Sequence, residues 1–208
     1  MTRKKPTAGI VLAAGMSSRF GRPKQLMELG GKTVLEWTLS ACLDSRLESI
    51  YLILGYAYKE IKETIPEMIK HPRLNILVNP NYKKGQSTSL QTGILEIRDT
   101  HPSAMFILGD QPFIDSKTIN HLLACFWASE KNICVPFSQK KRGNPVIFNA
   151  LFYDKINSIR GDMGARGIIE NHPEHILRVP VVRPSFFHDI DTRKDFEKAQ
   201  SLIMLKDG

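Results

Sequence analysis

Short continuous apolar runs recur along the chain, and the segments between them carry apolar residues every three or four positions. The runs at Gly9 to Ala13, Ile50 to Leu54, Leu74 to Val78, Met105 to Leu108 and Ile133 to Val135 have strand length and no polar alternation, the pattern of strands covered on both faces. Between them, Leu35, Leu39, Cys42 and Leu43 form one helical stripe. Leu90, Ile94 and Ile97 form a second, and Ile119, Leu122, Leu123 and Phe126 a third. Strands alternating with amphipathic helices predict an α/β class with a mostly parallel sheet and helices on both faces.

After Val135 the pattern loosens. It predicts a strand at Pro145 to Phe148, helices at Ala150 to Ser158 and Ala165 to Glu170, and a strand at Ile176 to Val182. A strand at His188 to Asp191 follows, then a helix with Phe196, Ala199 and Ile203 on its apolar face. No internal repeat or Gly/Ser linker divides the chain, and 208 residues suit one core, so a single domain over residues 1–208 is expected.

Composition narrows the class. With 42% hydrophobic and 24% charged residues the chain reads as globular rather than disordered, and no apolar stretch reaches the roughly 18–20 residues of a membrane span. Arg3 to Lys5 followed by the apolar run Ala8 to Met16 resembles a secretory signal. Its two glycines and the motif that directly follows favour a buried first strand instead. Cys42, Cys125 and Cys134 are odd in number, widely spaced and without zinc-ligand spacing, which fits a reducing cytoplasm. The net charge of +8 favours anionic partners. The basic residues are scattered, with no nucleic-acid motif beside them, so neither nucleic acid nor membrane is expected as a partner.

The strongest chemical signal is the loop leaving the first strand, Leu12-Ala13-Ala14-Gly15-Met16-Ser17-Ser18-Arg19-Phe20-Gly21-Arg22-Pro23-Lys24. In an open α/β sheet, ligands bind outside the carboxyl ends of the strands. Small residues there let backbone N–H groups approach phosphate oxygens, while Arg19 and Lys24 supply permanent positive charge. The spacing is neither GxxxxGK[ST] nor GxGxxG. Ordinary turn chemistry is the alternative for Gly and Ser in such a loop, but Arg19 and Lys24 at set positions favour the phosphate-binding reading.

These residues resemble the signature LAAGxSxRMGxxK of the molybdenum cofactor nucleotidyltransferases, particularly the cytidylyltransferase branch, with Phe20 in place of Met. Leu108-Gly109-Asp110-Gln111-Pro112, Arg142-Gly143-Asn144-Pro145, Gly161-Asp162-Met163-Gly164-Ala165-Arg166 and Asp189-Ile190-Asp191-Thr192 are similar to the family's later motifs, in the family's order. The resemblance implies a Rossmann-like, three-layer nucleotidyltransferase fold. It also implies transfer of CMP from CTP to molybdopterin with release of pyrophosphate, serving molybdenum hydroxylases such as xanthine dehydrogenase.

Within that reading Leu12, Ala13, Ala14, Gly15, Arg19, Lys24, Ser87, Ser89 and Asp110 contact the nucleotide. Lys24 is catalytic at the α-phosphate and Arg19 at the leaving pyrophosphate. Asp110 and Asp191 hold Mg²⁺, and Arg142 and Arg166 meet the second substrate. The residues taken alone leave alternatives: Asp110 as a turn or helix cap, Asp191 as an N-cap, Ser87 and Ser89 as caps, and each Arg as solvated surface. On a strand, Asp189 and Asp191 share one face. Ala14, where the guanylyl branch has Gly, is the reason for CTP over GTP. A sugar-phosphate nucleotidyltransferase, or a non-catalytic carrier delivering cofactor to a molybdenum hydroxylase or its chaperone, are the other classes.

Overall fold

The computed structural model describes residues 5–16, 21, 23–138, 141–181, 189–190 and 192–204. Arg19 and Asp191 lie outside the described residues, as do Ser17, Ser18, Phe20, Arg22 and His188. The first half runs β1 (Thr7–Ala13), β2 (Glu28–Leu29), β3 (Lys32–Thr33), α1 (Val34–Leu43), β4 (Ile50–Leu54), α2 (Tyr58–Thr64), α3 (Pro66–Ile69), β5 (Leu74–Val78) and α4 (Gln86–Ile97). It continues through β6 (Ser103–Leu108), α5 (Ser116–Trp127), β7 (Ile133–Ser138), β8 (Lys141–Arg142), β9 (Val146–Asn149), α6 (Tyr153–Ser158), α7 (Arg166–Asn171), β10 (Ile176–Pro180) and α8 (Arg193–Met204).

The main sheet has the order β10-β7-β9-β6-β1-β4-β5, with β8 paired to β7. β1, β4, β5 and β6 are mutually parallel, β7 is parallel to β10, and β9 runs antiparallel between β6 and β7. Alternation along β1 explains the layers. Val11 and Ala13 pack with Leu35, Leu39 and Cys42 of α1 and with Leu122 and Leu123 of α5, whereas Ala8 and Ile10 pack with Leu90, Ile94 and Ile97 of α4 on the opposite face. The architecture is therefore a three-layer, Rossmann-like α/β fold with a mostly parallel sheet. A third apolar cluster joins the β2–β3 hairpin to α8 through Leu29, Phe196, Ala199 and Ile203.

From β1 the chain builds β4 and β5 to one side and then crosses to place β6 on the other. The strand order thus reverses between β1 and β6, and a crevice opens at the carboxyl ends of strands at such a point. No helix among the described residues is long and apolar enough to cross a membrane.

Several elements depart from expectation. β1 and β6 each begin two residues earlier, at Thr7 and Ser103. The stretch expected as a helix from Ala150 opens with a 3-10 turn, Ala150–Phe152, before α6. Asp189 and Ile190 belong to no strand, so the shared-face argument for Asp189 and Asp191 falls. The segment is anchored instead by Ile190, 1% exposed in the third apolar cluster. At the start of α8 the Thr192 hydroxyl accepts from the Asp195 amide at 3.2 Å, and the Asp195 carboxylate accepts from the Thr192 amide at 2.7 Å, a reciprocal cap.

Candidate active site

Three strand ends build one wall. The Gly109 N–H donates to the Leu12 carbonyl at 3.0 Å, and the Tyr56 N–H donates to the Ala14 carbonyl at 3.2 Å, so the exits of β6 and β4 are tied to the loop leaving β1. Gly55 requires its lack of a side chain: a Cβ there would stand 2.9 Å from both the Cβ and the carbonyl oxygen of Ala14 and 2.7 Å from the Tyr82 Cβ. Ala14 is buried against this neighbour, and Tyr56 and Tyr82 stand beside it with ring centroids 6.4 Å apart. Leu12 is half-buried, Ala13 buried and Gly15 exposed.

Lys24 follows Pro23 and opens a 3-10 turn, Lys24–Leu26. Its ammonium Nζ contacts Oδ2 of Asp110, two residues beyond the end of β6, and both side chains are 15% exposed. The other oxygen, Asp110 Oδ1, is buried without a hydrogen-bond partner. Asp110 does not cap the following helix. That role belongs to Asp115, whose Oδ1 accepts from the Thr118 amide at 2.7 Å. Next to Asp110, the Gln111 Nε2 donates to Asp189 Oδ1 at 2.5 Å, and the Ile190 N–H donates to the Asp110 carbonyl at 3.3 Å. Lys24, Asp110, Gln111 and Asp189 are thereby brought together. Among the described residues no cluster of three or more His, Cys, Asp or Glu forms a metal cage. The buried, unpartnered carboxylate oxygen of Asp110 is a hard donor of the kind a divalent cation takes, so the residues present fit such an ion.

Ser87 and Ser89 lie inside the first turn of α4, both buried, and neither caps it: Gly85 is the N-cap and offers no side chain. The Ser89 hydroxyl accepts from Asn79 Nδ2 at 3.0 Å. The amides at this helix start are taken by the segment after α6. The Ser87 N–H donates to the Gly161 carbonyl at 3.0 Å and the Gln86 N–H to Asp162 Oδ1 at 3.0 Å. Asp162 was thus missed as the group that satisfies the helix start. Its only signal was its place in a Gly-flanked motif.

Arg142 and Arg166 line one cavity of about 220 Å³. Leu90, Phe106, Leu108 and Phe148 supply its apolar lining, and Gln86 and Asn144 are polar neighbours at the same opening. Leu12 and Leu108 also line it, so it adjoins the Lys24–Asp110 cluster. Burial pulls the Arg142 guanidinium below its ordinary range, with Glu170 opposing and Arg166 adding to the shift. Arg166 Nε donates to Glu170 Oε1 at 2.7 Å, a hydrogen bond that holds the Glu170 carboxyl below its usual range.

Residues 9–176 match the family model described as the MobA-like NTP transferase domain. The purine catabolism protein PucB of Bacillus subtilis (strain 168) is 25% identical over 195 residues, covering 91% of this chain and 93% of PucB. A probable molybdenum cofactor guanylyltransferase of Bacillus cereus (strain AH820) is 40% identical over 76 residues, a match spanning 36% of this chain and only 35% of that relative. Among solved structures, the Mycobacterium sp. strain JC1 homologue of Mycobacterium tuberculosis Rv0371c has a TM-score of 0.83 at 29% identity, covering 96% of this chain and 98% of that one. Rv0371c of M. tuberculosis H37Rv in complex with manganese has a TM-score of 0.76 at 23% identity, covering 94% of this chain and 98% of that one.

Proposed function

The chain belongs to the MobA-like NTP transferase family and is a nucleotidyltransferase of that type; we propose that it joins CMP from CTP to molybdopterin and releases pyrophosphate. The observation that carries this reading is the contact between Lys24 and Asp110 at the strand-order reversal, with one Asp110 oxygen buried and unpartnered.

In the proposed reaction a terminal phosphate oxygen of molybdopterin attacks the α-phosphorus of CTP. The bond from that phosphorus to the bridging oxygen of the β-phosphate breaks, and its electrons leave with pyrophosphate. Such transfers depend on position and on stabilising spread negative charge. Lys24 donates to the α-phosphate oxygens in the transition state, Arg19 to the departing pyrophosphate, and Leu12 to Gly15 present backbone toward the nucleotide. Asp110 and Asp191 hold the divalent ion, Mg²⁺ in this reading, and the manganese complex of Rv0371c supports a divalent site. What such an ion supplies is neutralisation of charge on the phosphate oxygens. Ser87 contributes at the α4 end of the nucleotide site and Ser89 sets its shape through Asn79. The Arg142–Arg166 cavity takes the acceptor: its apolar lining suits a flat ring system and its guanidinium groups a phosphate.

CTP is assigned on Ala14. Its methyl is packed on Gly55, so the space it removes lies on the side where Tyr56 and Tyr82 stand. A guanylyl reading has one observation in its favour, the 40% identity to a probable guanylyltransferase over 76 residues. The PucB relationship supports a recipient in purine breakdown, such as xanthine dehydrogenase, and three free cysteines support a reducing cytoplasm.

The test is pyrophosphate release from each of the four NTPs with Mg²⁺ and either molybdopterin or a hexose phosphate as acceptor. CTP is expected to react fastest. Faster release from GTP overturns the nucleotide assignment, release only with a hexose phosphate overturns the acceptor, and cofactor binding without any release identifies a carrier.

A further inference from the structure

We propose that Gln111 is a positioning residue, its side-chain amide clamping the carboxylate of Asp189 and so fixing the Asp189–Ile190 segment relative to Asp110. The proposal rests on the reading of Asp110 as a metal-holding carboxylate. Gln111 is 2% exposed, and its Nε2 donates to Asp189 Oδ1 at 2.5 Å. A carboxylate only accepts, so the NH₂ end of the amide must face Asp189 and the carbonyl end must face away. That orientation leaves Gln111 Oε1 buried with no hydrogen-bond partner. A buried orphan carbonyl is an uncompensated desolvation, and its persistence calls for an explanation. Holding Asp189 is that explanation, since an apolar side chain would fill the same space without the orphan.

Two further hydrogen bonds place the clamp. The Gln111 carbonyl accepts from the Thr38 hydroxyl of α1 at 3.3 Å, fixing Gln111 to the helix layer. The Ile190 amide donates to the Asp110 carbonyl at 3.3 Å, while the Ile190 side chain is sealed beside Phe113 and Phe196. The clamp therefore joins the exit of β6 to the segment entering α8. Its charge matters as well. A lysine or arginine at position 111 would neutralise the acidic groups around it, whereas a neutral amide holds Asp189 without adding a positive charge beside Asp110.

The experiment titrates Mn²⁺ alone, followed by electron paramagnetic resonance, into the full chain and into Gln111→Leu, Asp189→Asn and the exchange pair Gln111→Glu/Asp189→Asn. The exchange keeps the net charge and reverses the direction of one hydrogen bond. Gln111→Leu is expected to weaken Mn²⁺ binding roughly 10-fold to 100-fold, and the exchange pair to recover most of that loss. A merely structural role would not produce this rescue. Should Gln111→Leu fail to fold, Gln111→Asn, one methylene short, is expected to show the same weakening. Unchanged Mn²⁺ affinity in the folded single variant at position 111, or an exchange pair no better than that variant, overturns the clamp and leaves the metal reading standing. Absence of Mn²⁺ binding by the unaltered chain overturns the metal reading and the clamp with it.

Discussion

The ammonium of Lys24 meets the carboxylate of Asp110 across the reversal in strand order, one delivered by the loop leaving β1 and the other by the exit of β6. Each neutralises the other in the unliganded chain. Nucleotide and cation together offer both groups new partners, the phosphate for Lys24 and the divalent ion for Asp110, so the pair is suited to exchange on binding.

Lys24→Ala is expected to lower turnover by about 10²–10³-fold, the cost of removing one preorganised transition-state donor. The fold should persist but with a lower thermal midpoint, because both side chains are largely buried and the Asp110 carboxylate loses its cation. Pyrophosphate release and a thermal melt on the same preparation check both halves. Undiminished turnover removes Lys24 from the mechanism.

Gly85 holds the segment after α6 against α4. Its φ is +106°, and an added Cβ would stand 2.6 Å from the Gly161 carbonyl carbon and 2.8 Å from Asp162 Oδ1. Gly85→Ala is expected to cost about 1–3 kcal/mol from backbone strain and to loosen the wall of the Arg142–Arg166 cavity. Urea unfolding measures the first, and the KM for molybdopterin, expected to rise, measures the second. A variant as stable as the parent contradicts the docking.

His101 should give stability a pH dependence. Burial pulls its pKa below the ordinary value, with Glu48 opposing. The unfolded chain gains this proton near pH 6.5 and the folded chain only at lower pH. Between those values the unfolded state binds more protons, so stability rises with pH. The contribution is complete above about pH 6.5 and is lost as pH falls through the folded value. Urea midpoints from pH 7.5 to 5.0 should fall more steeply for the parent than for His101→Gln; equal slopes would exclude His101 as the cause.

Cysteine reactivity should be confined to one position. Burial pushes the Cys42 and Cys134 thiols up to about 12 each, and a protonated thiol is a poor nucleophile. Cys125 is partly exposed. Alkylation of the folded chain at pH 8, mapped by mass spectrometry, should modify Cys125 first. Early modification of Cys42 or Cys134 would contradict the buried placement.

The layered architecture was legible because strands covered on both faces leave continuous apolar runs and helices packed on them leave a 3.6-residue stripe. The β2–β3 hairpin was not read. Its two strands are too short for periodicity to register, although Gly30 and Gly31, both at positive φ, carry the turn signal in plain view. The antiparallel placement of β9 left no mark either, since a strand buried on both faces looks the same in either direction. At the site, Asp110 was placed by its position after a strand. The Gln111–Asp189 bond was not foreseeable, because it depends on two loops meeting and no local pattern encodes that. Ser89 illustrates the reverse case: a hydroxyl at a helix start reads most simply as a cap from sequence, yet Gly85 is the N-cap and Asn79 engages the Ser89 hydroxyl in the interior.

The proposed reaction moves the α-phosphorus of the nucleotide. It is tested most directly by supplying CTP labelled at the α- or the γ-phosphate together with Mg²⁺ and molybdopterin, and following each label. The α-label is expected to become attached to molybdopterin while the γ-label leaves in pyrophosphate. A γ-label on the acceptor, or an acceptor that carries neither, would contradict it.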